Sequence, residues 1–342
     1  MLEWLAQYGL FLAKTITIII GILVVLASAF ALSQRNKQVA GTIVIENLSD
    51  KVKSLKQAVQ HKIVINKAEK KALCKTEKEA AKQDKINAKK MGEDKPRLFL
   101  IRFEGDMRAS QVNALRESVN ALLLAANPKD KVLVLIDSAG GFVHTYGLAA
   151  SQIKRIRDQG LHLVVSIDKV AASGGYLMAC VAHEIIAAPF AIIGSIGVVG
   201  QLPNFNRLLT KHHIDFEQHT AGKYKRTLTV FGKNTQAARQ KFQEDIEQTH
   251  QLFKQFIIQH RAVVQIEQVA TGEHWHALDA LKYQLIDAIQ TSDDYLLNQY
   301  QTHHIFEISY IEKKNMKEKL ANCLHHVLDT VSSGFQGMRG CS

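Results

Sequence analysis

Three short glycine-containing stretches carry the side chains best suited to chemistry, and each follows an apolar run, where an α/β fold places its sites. The first is Asp137-Ser138-Ala139-Gly140-Gly141. Two consecutive glycines let the backbone turn sharply and leave an N–H bare beside a ligand, which is what half of an oxyanion hole requires. An ordinary tight turn has the same pattern. The second is Ala171-Ala172-Ser173-Gly174-Gly175-Tyr176, where a serine flanked only by alanine and glycine has an uncrowded hydroxyl next to the Gly174 N–H. Ala171 stands where a G-x-S-x-G elbow has its first glycine, which disfavours a conventional α/β-hydrolase. A helix N-cap serine is the plainer alternative.

The third stretch is Gly194-Ser195-Ile196-Gly197, followed further on by Gly222-Lys223-Tyr224-Lys225-Arg226. A serine hydroxyl needs a base to take its proton, either a histidine backed by a carboxylate or a lysine kept neutral by burial or neighbouring cations. Lys225 stands between Lys223 and Arg226. A solvated basic loop is the other reading. The histidine groups (His183-Glu184, His212-His213, His274-Trp275-His276, His303-His304 and Cys323-x-His325-His326) each lack a closing set of ligands, so no metal is expected. Neither G-x-G-x-x-G nor a Walker loop occurs, and no nucleotide cofactor is expected.

The elements that must position these residues follow a βα rhythm. Leu98 to Phe103 reads as a strand, Ala109 to Ala126 as an amphipathic helix, and Lys131 to Ile136 as a buried parallel strand. A helix from Thr145 to Gln159, a strand from Leu161 to Ile167, a short helix after Ser173 and a strand from Glu184 to Ala188 continue it, predicting an α/β domain with a mostly parallel sheet. Asn234 to His260 reads as a long amphipathic helix with Asn234 as its N-cap, and another helix is expected after Gly272. Beyond Asp294 the periodicity fades. Four scattered cysteines without C-x-x-C spacing indicate neither a disulfide-stapled mini-domain nor a cysteine zinc site.

The formal charge of +11 is concentrated between Lys51 and Lys95, where fourteen lysines and no arginine face six acidic residues. A lysine-rich run without arginine or interleaved aromatics lacks the groups that read or stack on bases, so nucleic acid is not an expected partner. It reads as a solvated, partly helical stalk or a patch facing anionic lipid. Thr15 to Leu32 holds eighteen residues without a charge, about 27 Å of helix and close to a bilayer's hydrocarbon thickness. We read it as an uncleaved membrane anchor, because no basic leader precedes the apolar run, although Ala29-Phe30-Ala31 has the form of a cleavage site. Counting Lys and Arg leans the bulk of the chain to the cytoplasmic side. The expected organisation is an anchor over 1–40 with its helix at about 8–32, a stalk over 41–96, a folded domain over 97–300 and a tail over 301–342.

In order along the chain, D-S-A-G-G, A-A-S-G-G-Y-L-M-A, I-G-S-I-G-V-V-G, G-K-Y-K-R-T-L-T, A-T-G-E-H-W and L-I-D-A-I-Q-T-S-D-D-Y resemble the SohB branch of the signal peptide peptidase A family of membrane serine proteases. The anchor and stalk are similar to that family's N-terminal region; only the tail after about residue 300 lies outside the likeness. The resemblance implies a ClpP/crotonase-like spiral of βα units and an endopeptidase acting on peptides or membrane-proximal proteins. It matches Ser173 to the nucleophile, Lys225 to a lysine general base and Ser195 to the hydroxyl that orients the lysine. It assigns the oxyanion donors to Gly140, Gly141 and Gly174. It further implies a single-pass protein of the inner membrane, in contact with lipid, forming a homo-oligomeric ring whose dyad closes across a subunit boundary. The competing readings are an acyl-CoA hydratase or isomerase on the same fold and a non-catalytic membrane scaffold.

Overall fold

The computed structural model describes residues 41–63 and 95–312, together with the single positions 14, 15, 17, 66, 75 and 79. The expected membrane helix at 8–32 therefore falls almost wholly outside the described residues, among which no helix is long and apolar enough to cross a membrane. Most of the lysine-rich run after residue 63 lies outside them as well.

The βα rhythm builds a ten-stranded, mixed α/β structure. Its spine is β2 (Arg97–Gly105), β3 (Lys131–Ser138), β4 (His162–Ile167) and β6 (Glu184–Ala187), all parallel, with β9 (Ala288–Ile289) added beyond β6. Alternate residues of each strand point to opposite faces. In β2, Phe99, Ile101 and Phe103 enter the larger core with Leu115, Val119 and Leu122 of α2 (Val112–Ala125) and Ala149, Ile153 and Ile156 of α3 (Val143–Asp158). Leu98 and Leu100 enter a smaller core on the other face with Leu133, Val164, Ile186 and Tyr295. Burial on both faces is why these strands read as unbroken apolar runs.

Three elements fall outside the expected domain limits of 97 and 300. β1 (Thr42–Asn47) and helix α1 (Leu48–Ile63) lie in the stretch read as a stalk, yet β1 forms the edge of the sheet. β10 (His304–Ile311) lies in the stretch read as a tail, yet it sits between β1 and β2 and pairs in parallel with β2, His304 opposite Arg97. Ile43–Ile311 is thus one compact unit. The sequence His-Ile-Phe-Glu-Ile-Ser-Tyr-Ile has no clean period, and it folds because its neighbours bury Ile305 and Ile308 to 2% exposure or less. Each such side chain contributes about 1.5–3 kcal/mol by burial.

A second, smaller layer branches from the spine. β5 (Val170–Ala172) pairs in parallel with β3 and with β7 (Ile192–Gly194), and β7 pairs antiparallel with β8 (His274–His276). The helix expected after Gly272 is preceded by β8 and begins only at Ala277. The long helix α5 (Gln236–His260) is capped by Thr235, whose Oγ1 accepts the Ala238 N–H at 3.2 Å. Asn234, the expected cap, instead accepts the Thr229 N–H at 2.9 Å and donates back to the Thr229 carbonyl. It ties down the loop before the helix.

Candidate active site

Ser173 sits at the junction of β5 and a short helix, α4 (Gly174–Ala179). The strand ends in two buried alanines, Ala171 and Ala172. Its backbone has φ 51° and ψ −119°, a left-handed conformation that side chains larger than glycine seldom adopt. Two backbone bonds hold it there: the Ser173 N–H donates to the Gly194 carbonyl at 2.7 Å, and the Ser173 carbonyl accepts the Leu177 N–H at 3.0 Å. The side chain is half-buried, and its hydroxyl has no hydrogen-bond partner among the described residues. The plainer reading of an N-cap is thereby excluded, since no side-chain cap bond forms.

The Gly140 turn comes up against this serine. A Cβ built on Gly140 would lie 2.7 Å from the Ser173 Cβ and 2.7 Å from the Gly174 nitrogen, and its φ of +89° is also unfavourable for any other residue. The turn is pinned on both sides of Gly141. The Gly140 N–H donates to Ser138 Oγ at 3.1 Å, and the Phe142 N–H donates to the Met107 carbonyl at 2.9 Å. Between them, the Gly141 N–H has no partner among the described residues, and neither has the Gly174 N–H. Of the three glycines expected to donate, Gly140 therefore has its N–H engaged elsewhere. Its part is steric.

Ser195 follows Gly194 directly. Gly194 has φ +107°, and a Cβ there would meet the Trp275 ring at 2.7 Å. Ser195 has φ 52°, donates its N–H to the Glu273 carbonyl at 2.6 Å and accepts the Gly197 N–H at 3.0 Å. Its half-buried hydroxyl is likewise unpartnered among the described residues. The carbonyl that holds Ser173 thus belongs to the residue directly before Ser195.

Lys225 is placed differently. It lies on an exposed turn closed by its own N–H on the Gly222 carbonyl at 3.1 Å, and no hydrogen bond joins it to Ser173 or Ser195. The turn belongs to an arm, residues 201–235, that contributes no strand to the sheet and is organised around Phe205, Phe216 and Phe231, with Phe216 and Phe231 centroids 5.8 Å apart. Asn204 Nδ2 clamps it by donating to the Thr229 and Gly232 carbonyls at 2.8 and 3.0 Å. Lys225 lines a groove of about 670 Å³ on this arm together with Leu202, Phe216, Leu228 and Phe231. Leu208, Ile214 and Tyr224 are each more than half exposed on the same arm. The single chain thus gathers Ser173, Gly140, Gly141, Gly174 and Ser195 into one region, with Lys225 hydrogen-bonded to none of them.

Sequence reasoning overlooked Ser138, Tyr146 and Trp275, which support the turns from behind. Tyr146 is fully buried, and burial pushes its phenol above the ordinary tyrosine value, against the bond to Ser138. A buried tyrosine must find a partner for its hydroxyl, and that rule was the available signal. Among the described residues, no group of three or more His, Cys, Asp or Glu side chains is arranged to hold a metal.

Comparison with known proteins adds the lineage. The N-terminal model of peptidase family S49 matches residues 3–153, and the peptidase family S49 model matches residues 155–305. A probable protease SohB of Buchnera aphidicola subsp. Acyrthosiphon pisum is 47% identical over 332 residues, covering 97% of each chain. The probable protease SohB of Haemophilus influenzae is 43% identical over 323 residues, covering 92% of this chain and 91% of its own. Among solved structures, the 1510-N membrane-bound stomatin-specific protease in complex with a substrate peptide shares 13% identity at a TM-score of 0.37, over 67% of this chain and 98% of that one.

Proposed function

The chain belongs to peptidase family S49 and is a protease of that family, and from this premise we propose that it is a membrane-anchored serine endopeptidase working through Ser173 and Lys225. The observation that carries the serine assignment is the backbone of Ser173, held at φ 51° and ψ −119° with a free hydroxyl and with the Gly140 turn against it. Left-handed serines cost of order 1–3 kcal/mol and persist where the surroundings over-determine them, as they do at functional turns.

In the proposed reaction, Ser173 Oγ attacks the scissile carbonyl while the neutral Lys225 amine takes its proton. The oxygen that becomes negative is met by the Gly141 and Gly174 N–H groups. The Lys225 ammonium returns the proton to the departing amine, leaving an acyl-serine; Lys225 then takes a proton from the attacking water and passes it to the Ser173 oxygen as the acyl bond breaks. Ser195, one residue beyond the Gly194 carbonyl, is the proposed anchor for the lysine amine. The βα succession with its branched β5–β7–β8 layer supports the reading of a ClpP/crotonase-like spiral.

The exposed Lys225, unbonded to either serine and on an arm rich in exposed apolar side chains, supports a dyad completed between two copies of the chain in a homo-oligomer. The substrates proposed are peptides or proteins close to the inner membrane, with residues 8–32 as the lipid anchor. The test is hydrolysis of a fluorogenic peptide by the full chain in bilayer nanodiscs. Loss of turnover in both Ser173→Ala and Lys225→Ala supports the reading, and turnover surviving Ser173→Ala overturns it.

A further inference from the structure

We propose that Tyr146 is a positioning residue that locks the two halves of the oxyanion site to each other, an inference that rests on the reading of Ser173 as nucleophile. Its contacts reach both halves. The ring lies against Gly174, where a Cβ would be driven into Tyr146 Cγ, and the phenol oxygen lies 2.5 Å from Ser138 Oγ. Ser138 in turn accepts the Gly140 N–H at 3.1 Å.

Counting protons gives the chain a direction. Tyr146 has one hydroxyl proton, and the Asp106 carbonyl, 2.7 Å away, can only accept it. The Tyr146 oxygen is then left to accept from Ser138, whose single proton it takes in preference to the Gly105 carbonyl at 3.3 Å. Ser138 Oγ is left to accept the Gly140 N–H. Every donor runs one way, from Gly140 through Ser138 and Tyr146 to Asp106.

The relay ends in a segment that is itself fixed. The Asp106 carboxylate accepts the Arg108 and Ser110 N–H groups at 3.1 and 2.8 Å, and the loop it holds offers the Met107 carbonyl to Phe142. The Gly141 N–H is therefore aimed by bonds on either side, and both trace back to this loop. Ser138 and Tyr146 are at most 2% exposed, so water cannot replace a lost link. The Tyr146 ring sets the distance to Gly174, and its hydroxyl sets the angle of the Gly140 turn.

Because donor placement matters most where charge develops, the relay should act on turnover more than on substrate binding. The experiment uses the full chain in nanodiscs with Tyr146→Phe, Ser138→Ala and the double variant, measuring kcat, KM, affinity for a peptide aldehyde and thermal midpoint. We expect Tyr146→Phe to lower kcat roughly 10- to 100-fold with KM within twofold, to weaken the aldehyde by a similar factor, and the double variant to lose no more than the worse single. Unchanged kcat in Tyr146→Phe overturns the proposal, as do losses in the double variant that multiply, or a rise in KM that matches the fall in kcat. If Tyr146→Phe does not fold, Ser138→Ala alone decides by the same kcat, KM and aldehyde readings. Failure of the underlying reading looks different: wild-type turnover would then survive Ser173→Ala.

Discussion

The Ser173 N–H and the Gly194 carbonyl meet at 2.7 Å, so the proposed nucleophile is fixed by the last residue of the neighbouring strand as well as by its own helix. Gly194 can serve because it has no side chain: its φ of +107° and the Trp275 ring against it leave no room for one. The same residue delivers Ser195 to its place. Two serines with left-handed backbones, 173 and 195, are thus set by one glycine between them.

Gly194→Ala should therefore do more damage than a surface change. A methyl group 2.7 Å from the indole, added to an unfavourable φ, is expected to cost about 2 kcal/mol, read as a fall in thermal midpoint of roughly 4–8 °C. A midpoint within 1 °C of wild type would show that β7 and β8 adjust freely.

Gly140→Ala and Gly160→Ala form an internal control. Both glycines have positive φ, +89° and +78°, but a Cβ on Gly160 meets nothing within 4 Å, whereas one on Gly140 meets Ser173 and Gly174. Gly160→Ala should lose about 1 kcal/mol from backbone strain, Gly140→Ala should lose more because its methyl also overlaps backbone atoms, and only Gly140→Ala should lose turnover, by tenfold or more. Equal activities would remove the Gly140 turn from the site.

Asp130 makes stability depend on acid. Burial alone would raise its pKa, but the Arg97 guanidinium, with a closest approach of 2.6 Å, and the Asn127 and Arg97 N–H groups hold it below the ordinary 3.8. A carboxylate with a lowered folded pKa contributes stability that is fully present above its unfolded value and is lost as pH falls through the folded one. The wild-type thermal midpoint should drop below about pH 4, and part of that drop should disappear in Asp130→Asn. Identical acid profiles for the two proteins would refute the assignment.

Lys225→Arg should be as inactive as Lys225→Ala, because a guanidinium stays protonated and cannot act as a base. If the lysine arrives from a second copy, mixing inactive Ser173→Ala with inactive Lys225→Ala under conditions of subunit exchange should restore part of the activity. A mixture that exchanges subunits and stays inactive, beside an active monomeric wild type, would place the dyad within one chain.

The parts legible in the sequence are those whose signal is local. The apolar runs of β2, β3 and β4 announce buried parallel strands, and a serine between alanines and glycines announces an open turn. β1 and β10 were missed because each is held by a partner remote in the chain, so neither needs a clean period of its own. Tyr146 was missed for a related reason. Its place in α3 looks like any core position, and only the approach of Ser138 and Asp106 gives its hydroxyl a task. Glycine pairs disclosed the turn, while which N–H stays free depended on Ser138 and Met107.

Covalent capture tests the assignment of Ser173 as the nucleophile. A fluorophosphonate added to the full chain in nanodiscs should form one adduct, which peptide mapping by mass spectrometry assigns to Ser173, and labelling should vanish in Ser173→Ala. An adduct on any other residue, or undiminished labelling of Ser173→Ala, would contradict the account.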